Sequence, residues 1–138
     1  AVAGRSGRQS GHGIATALTQ AKVENKAVLL DFGANWCVWC HRLYHTFTTD
    51  PGVAAALAKN YVVVMIDVNS RHDSPRNADV NSRYGNPIRF GLPVLVVLDA
   101  DGKQLATQDT GALEEGNGHS PAKIRAFLAQ WRPANQTR

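Results

Sequence analysis

The chain has 138 residues, 43% of them hydrophobic and 19% charged, which is the balance of one globular domain large enough to bury a core without disulfide staples. No apolar run approaches the roughly 20 residues needed to span a bilayer, so no stable membrane insertion is expected. The formal charge of +4 and pI near 9.4 come from scattered basic residues. The loose group Arg71, Arg76, Arg83 and Arg89 forms neither a dense stripe nor a reader motif, so no nucleic-acid partner is expected.

Residues 1–13 are rich in Gly, Ser and Arg, lack apolar period and read as a flexible tail ahead of a single domain over residues 14–138. No leader with a charged region and an apolar core is visible there. Ile14, Ala17, Leu18 and Ala21 then give a helical face ending near Glu24. Residues 27–32 form an apolar strand that carries one acid, Asp31, in its interior.

Gly33-Ala34-Asn35 breaks that strand, and Trp36-Cys37 opens a helical segment running to about Thr48. Cys40, Leu43, Tyr44 and Phe47 share one face of it. Asp50-Pro51 is a helix start with the acid as cap and proline at the first helical position, introducing a short helix over residues 52–59. Residues 61–67 (YVVVMID) are an unbroken β-branched run, as in a strand buried on both faces.

Residues 68–89 are polar and irregular, with a short helix predicted over residues 77–84 and stopped by Gly85. Gly91-Leu92-Pro93 punctuates the chain before a second buried strand, residues 94–98. Asp99-Ala100-Asp101-Gly102 predicts a hairpin turn returning through residues 103–107. Ser120-Pro121 caps a last helix in which Ile124, Phe127, Leu128 and Trp131 occupy one face. A β-α-β unit followed by a hairpin and a closing helix predicts an α/β domain, a mixed central sheet with helices on both faces.

Both cysteines of the chain, Cys37 and Cys40, lie in one C-x-x-C at the start of a helix. So short a loop cannot staple a fold, which leaves a redox pair, a metal half-site or a haem attachment. A helix N-terminus favours the Cys37 thiolate, the form that attacks disulfides. Cys40, on the apolar face one turn later, is suited to resolve the mixed disulfide from inside. That step needs a proton acceptor, and Asp31 is the acid placed for it, since burial disfavours its charged form.

With its strand acid Asp31, Trp36 before the first cysteine, and Cys37-Val38-Trp39-Cys40, this segment resembles the active-site segment of the thioredoxin superfamily. Gly91-Leu92-Pro93-Val94 resembles the loop before the third core strand of that family. The similarity covers residues 14–131 with the elements in the same order. It implies a thioredoxin-like fold and a thiol–disulfide oxidoreductase of the reductase or isomerase type. Protein thiols and disulfides would be its substrates, a further redox protein its partner, and the Cys37–Cys40 couple would serve with no separate cofactor. The resemblance also implies a cis Pro93 packed against the pair and an extended Leu92 facing bound peptide. Of the remaining substrate-binding candidates, Trp36 is expected to cover the site, and Trp39, between the cysteines at a helix start, is expected to be partly exposed and suited to an apolar substrate surface.

Family reductants typically carry Gly-Pro between the cysteines and isomerases Gly-His, and Val38-Trp39 matches neither. Asp50-Pro51-Gly52-Val53 is similar to a branch with roles in thiol maintenance outside the cytoplasm. That weights the expectation toward a periplasmic or otherwise extracytoplasmic protein, with the cytoplasm left open. The rival for the same residues is a metal- or c-type haem-binding protein with no exchange activity. Cys37-Val38-Trp39-Cys40-His41 is a literal C-x-x-C-H, and Cys37, Cys40, His41 and His45 are metal-ligating types. Against haem, the one methionine, Met65, lies mid-strand; against zinc, Cys37, Cys40 and His41 fall on different sides of a helix, so the four side chains could not converge on one ion. His12, His72 and His119 stand alone in polar stretches and are assigned no role.

Overall fold

The computed structural model describes residues 12–69 and 75–133. Residues 1–11 of the predicted tail, together with Arg71 and His72, lie outside the described residues. Helix α1 spans His12–Glu24 and so begins two positions before the domain boundary read from the sequence. Strand β1 (Ala27–Gly33), helix α2 (Val38–Thr49), helix α3 (Pro51–Asn60) and strand β2 (Tyr61–Asp67) make the crossover unit. Helix α4 (Ala78–Arg83), a 3-10 turn (Pro87–Phe90), strand β3 (Val94–Leu98) and strand β4 (Gln104–Asp109) follow. A second 3-10 turn (Thr110–Leu113) leads into a small hairpin of β5 (Glu114–Glu115) and β6 (Gly118–His119), and helix α5 (Pro121–Trp131) closes the chain.

The main sheet has the order β2-β1-β3-β4. Strand β1 sits inside it, parallel to β2 and antiparallel to β3, and all seven of its residues are buried. Period-2 alternation divides those residues between two layers. Val28, Leu30 and Phe32 pack with Ile14, Ala17, Ala21, Val80 and Tyr84, which places α1 and α4 on that face. Ala27 and Leu29 pack with Leu43, Phe47, Val53, Leu57, Ile124 and Phe127, which places α2, α3 and α5 on the other. Each of the large apolar side chains contributes about 1.5–3 kcal/mol through burial.

The helix ends follow local chemistry. Asp50 caps α3 by accepting the Val53 N–H at 2.9 Å, and Ser120 caps α5 by accepting the Lys123 N–H at 3.1 Å, with proline next in each case. Strand β4 runs to Asp109 rather than ending at Thr107, and its exposed and half-buried residues mark an edge strand. The two 3-10 turns and the β5–β6 hairpin were not predicted from the sequence. No described helix is long and apolar enough to cross a membrane.

Candidate active site around Cys37 and Cys40

Helix α2 starts at Val38, one residue beyond Cys37, so Cys37 is its cap and not its first turn. The Cys37 backbone is extended, and its sulfur accepts the backbone N–H of Cys40 at 3.1 Å. A sulfur at that position receives one of the donors a helix leaves over at its start and sits at the positive end of the helix dipole, and both favour thiolate. Cys40 is 2% exposed and shares the inward face of α2 with Leu43 and Phe47. Cys37 is also mostly covered, at 6% exposure.

The covering comes from a distance. The Cys37 sulfur faces the Leu92 carbonyl oxygen at 3.8 Å, and the Leu92–Pro93 peptide bond is cis. Gly91, just before it, adopts φ +95° and ψ −175°, a conformation essentially restricted to glycine. Two polar side chains that the sequence alone did not bring to the site hold this segment in place. Buried Asn81 donates to Asn86 Oδ1 at 2.7 Å and accepts the Ile88 N–H at 3.2 Å, which anchors the 3-10 turn ahead of Gly91. Buried Thr110 donates its hydroxyl to the Pro93 carbonyl. Neither residue belongs to a motif, so no pattern in the chain marked them.

Asp31 is fully buried in β1, opposite Met65 on β2 and Leu95 on β3. Met65 and Leu95 both belong to the core layer under α2, and the alternation of β1 puts Asp31 on that same face. The acid and the inward-facing Cys40 therefore occupy one layer, between the sheet and α2.

Trp36 is half-buried, packs against the cysteines and donates its indole N–H to Asn69 Oδ1 at 3.1 Å. Trp39 is also half-buried, with its indole in a T-shaped contact with the His119 imidazole at 5.6 Å and 85°, and the Arg42 guanidinium 4.6 Å from the ring centroid. His119, given no role from the sequence, is 5% exposed and neither of its ring nitrogens has a hydrogen-bond partner among the described residues. Burial pushes its imidazole below the usual range; Glu114 opposes the shift and Arg42 adds to it. The turn pair Gly116-Asn117 was the available signal for the hairpin that carries it.

Trp36, Cys37, Val38, Trp39, Ile88, Gly91 and Leu92 line a cleft of about 520 Å³ beside the Cys37 sulfur. Val38 in this lining is 57% exposed, and Phe90, just before Gly91 in the chain, is 46% exposed. His41 and His45 lie on the outer face of α2, both exposed, and His41 Nε2 pairs with the Asn35 carbonyl. Met65 is buried within β2. Among the described residues no three His, Cys, Asp or Glu side chains are grouped to hold a metal ion. The basic side chains are dispersed as well: Arg76 pairs with Asp67 at 3.1 Å, while Arg83 and Arg89 lie over the rings of Tyr84 and Phe90.

A family model described as thioredoxin-like matches residues 11–100. The chain belongs to the thioredoxin-like family. Its similarity to a disulphide isomerase of known structure from Xylella fastidiosa Temecula1 is 32% in identity, with a TM-score of 0.76, over 94% of this chain and 96% of that one. It is 28% identical over 121 residues to the disulfide bond reductase DsbH of Chlamydia pneumoniae, covering 83% of this chain and 69% of that protein. It is 30% identical over 120 residues to the thiol:disulfide interchange protein DsbD 2 of Pseudomonas aeruginosa, covering 86% of this chain but only 18% of that much longer protein. These thioredoxin-like relatives support thiol–disulfide oxidoreductase chemistry with a C-x-x-C pair, here Cys37 and Cys40.

Proposed function

We propose that the protein is a reductase- or isomerase-type thiol–disulfide oxidoreductase of protein disulfides, with Cys37 as nucleophile, Cys40 as resolving thiol and Asp31 as proton acceptor. The observation that carries the reading is the Cys37 sulfur at the α2 cap, held by the Cys40 N–H at 3.1 Å and bordered by the Leu92 segment. The Cys37 thiolate attacks one sulfur of a substrate disulfide, forms a mixed disulfide and releases the other sulfur as thiolate. Cys40 then gives its proton to Asp31 and attacks the Cys37 sulfur, releasing the second substrate thiol. Substrate has gained two electrons, and the Cys37–Cys40 disulfide awaits reduction by a dithiol partner protein; run backwards, the same steps oxidise or reshuffle.

Trp36, Trp39, Leu92 and Pro93 form the substrate groove in this reading, with the Leu92 backbone beside the extended substrate chain. No separate cofactor is required, since the electrons reside on the cysteine pair. The likeness of residues 50–53 to the thiol-maintenance branch supports an extracytoplasmic setting.

Thioredoxin-fold potentials span roughly −270 to −120 mV, which at about 1.4 kcal/mol per 30 mV is about 7 kcal/mol between reductant and oxidant on one motif. The deciding test is therefore paired. Cys40→Ser should accumulate a Cys37-linked mixed disulfide, and the Cys37–Cys40 potential should lie toward the reducing end for a reductase or mid-range for an isomerase. Undiminished reduction of insulin by Cys37→Ser would sink the reading, and a Cys40→Ser protein that traps no mixed disulfide would favour a metal- or haem-binding protein.

A further inference from the structure

We propose that His119 is a positioning residue that holds the Trp39 indole as a fixed wall of the substrate groove, so that the β5–β6 hairpin helps to select peptide disulfides over small ones. The proposal rests on the exchange reading above and adds a specificity element to it. Trp39 lines the cleft beside Cys37, and its ring is engaged by Arg42 and His119. Arg42 stands one turn away on the same helix and is half-buried, so its hold is local and partly solvated. His119 comes from outside the sheet and helices that build the pair.

Its own position is fixed on both sides. His119 pairs with Glu114 across the hairpin, and the next residue, Ser120, caps α5 and donates its N–H to the Leu113 carbonyl at 2.8 Å. A buried imidazole with neither nitrogen hydrogen-bonded among the described residues is costly to keep. The gain visible at that site is its edge-to-face contact with Trp39. A ring held from outside its own helix keeps its orientation when a chain is laid across Val38, Ile88 and Leu92. A small disulfide reaches the sulfur without leaning on that wall.

The test uses His119→Ala, the ring-restoring His119→Phe, and the surface variant Arg42→Met. Kinetics are measured with insulin and with 5,5′-dithiobis(2-nitrobenzoate), and acrylamide quenching of Trp39 is read as the difference from Trp39→Phe. His119→Ala should raise KM for insulin about fivefold relative to the small disulfide, the size an edge-to-face contact can supply, and should leave kcat in place. Trp39 should become about twice as quenchable, and His119→Phe should reverse both changes. Arg42→Met should shift both in the same direction by less. An unchanged insulin-to-small-disulfide ratio, or equal loss for both substrates, overturns the proposal. A wild-type protein that turns over neither disulfide overturns the exchange reading instead, and the quenching series then decides whether His119 holds the ring.

Discussion

The Cys37 sulfur and the Leu92 carbonyl oxygen face each other at 3.8 Å although 55 positions separate them in the chain. Strand β3 brings them together: it pairs with β1 through Phe32↔Val94, so the residue two before Val94 arrives at the end of β1 where α2 begins. The sheet register therefore aims the Leu92 backbone at the redox pair.

Asp31→Asn should leave the first attack intact and slow the second. Rapid alkylation of Cys37 should proceed at the wild-type rate, while the mixed disulfide should persist about 100-fold longer or more near neutral pH, the scale of a lost proton acceptor. Trapping the intermediate and timing its decay checks this, and decay at the wild-type rate would remove Asp31 from the mechanism.

Asp50→Ala should cost stability and nothing else. Its carboxylate accepts the Val53 N–H at 2.9 Å and meets Arg125 at 3.4 Å. Loss of the cap should destabilise by about 1 kcal/mol, with the partly exposed ion pair adding little. For a domain of this size the midpoint of thermal unfolding should drop by about 4 °C, with exchange kinetics unchanged.

Tyr61→Phe should be destabilising by about 1–2 kcal/mol, because a buried carbonyl loses its donor. The Tyr61 hydroxyl donates at 2.7 Å to the carbonyl of Leu128, in the last turn of α5, where helix carbonyls have no partner within the helix. Burial pushes the Tyr61 hydroxyl well above the usual tyrosine range, with Arg132 opposing. The unfolded chain gives up its proton first, near pH ~10, so this group's stabilising share is present below that pH and is lost as pH rises toward the folded value. Chemical unfolding across that interval should show a steeper alkaline decline in the wild type than in Tyr61→Phe.

His119 should give the opposite dependence on the acid side. Its imidazole is depressed by burial and faces Glu114 of the hairpin and Arg42 of α2. Above about pH 6.5 both folded and unfolded forms are neutral there; below it the unfolded chain takes the proton first. Stability present above that pH should therefore fall as pH drops through the folded value. The thermal midpoint of wild type should decline more steeply over this range than that of His119→Phe.

Much of the fold was legible because its signals are local. The caps at Asp50 and Ser120, each followed by proline, and the uninterrupted run Tyr61–Asp67 mark their elements without any partner. The hairpin at residues 114–119 was less legible. Its strands are two residues each and have no apolar period, and the burial of His119 comes from contact with Trp39. Asn81 and Thr110 were invisible for a related reason: a lone polar residue reveals its bond only when the segment it anchors is folded beside it.

By itself the sequence determined the chemistry on offer and the scaffold that presents it: two thiols one helical turn apart, an acid inside an apolar strand, and an alternation of strands and helices. Those features depend on spacing and periodicity along a few neighbouring residues. Tertiary structure alone decided that Leu92 borders Cys37, that Asp31 faces the layer under α2, and that Trp39 meets His119. Each of these depends on strand register or on packing between distant segments, where a shift of one residue would turn every side chain to the opposite face.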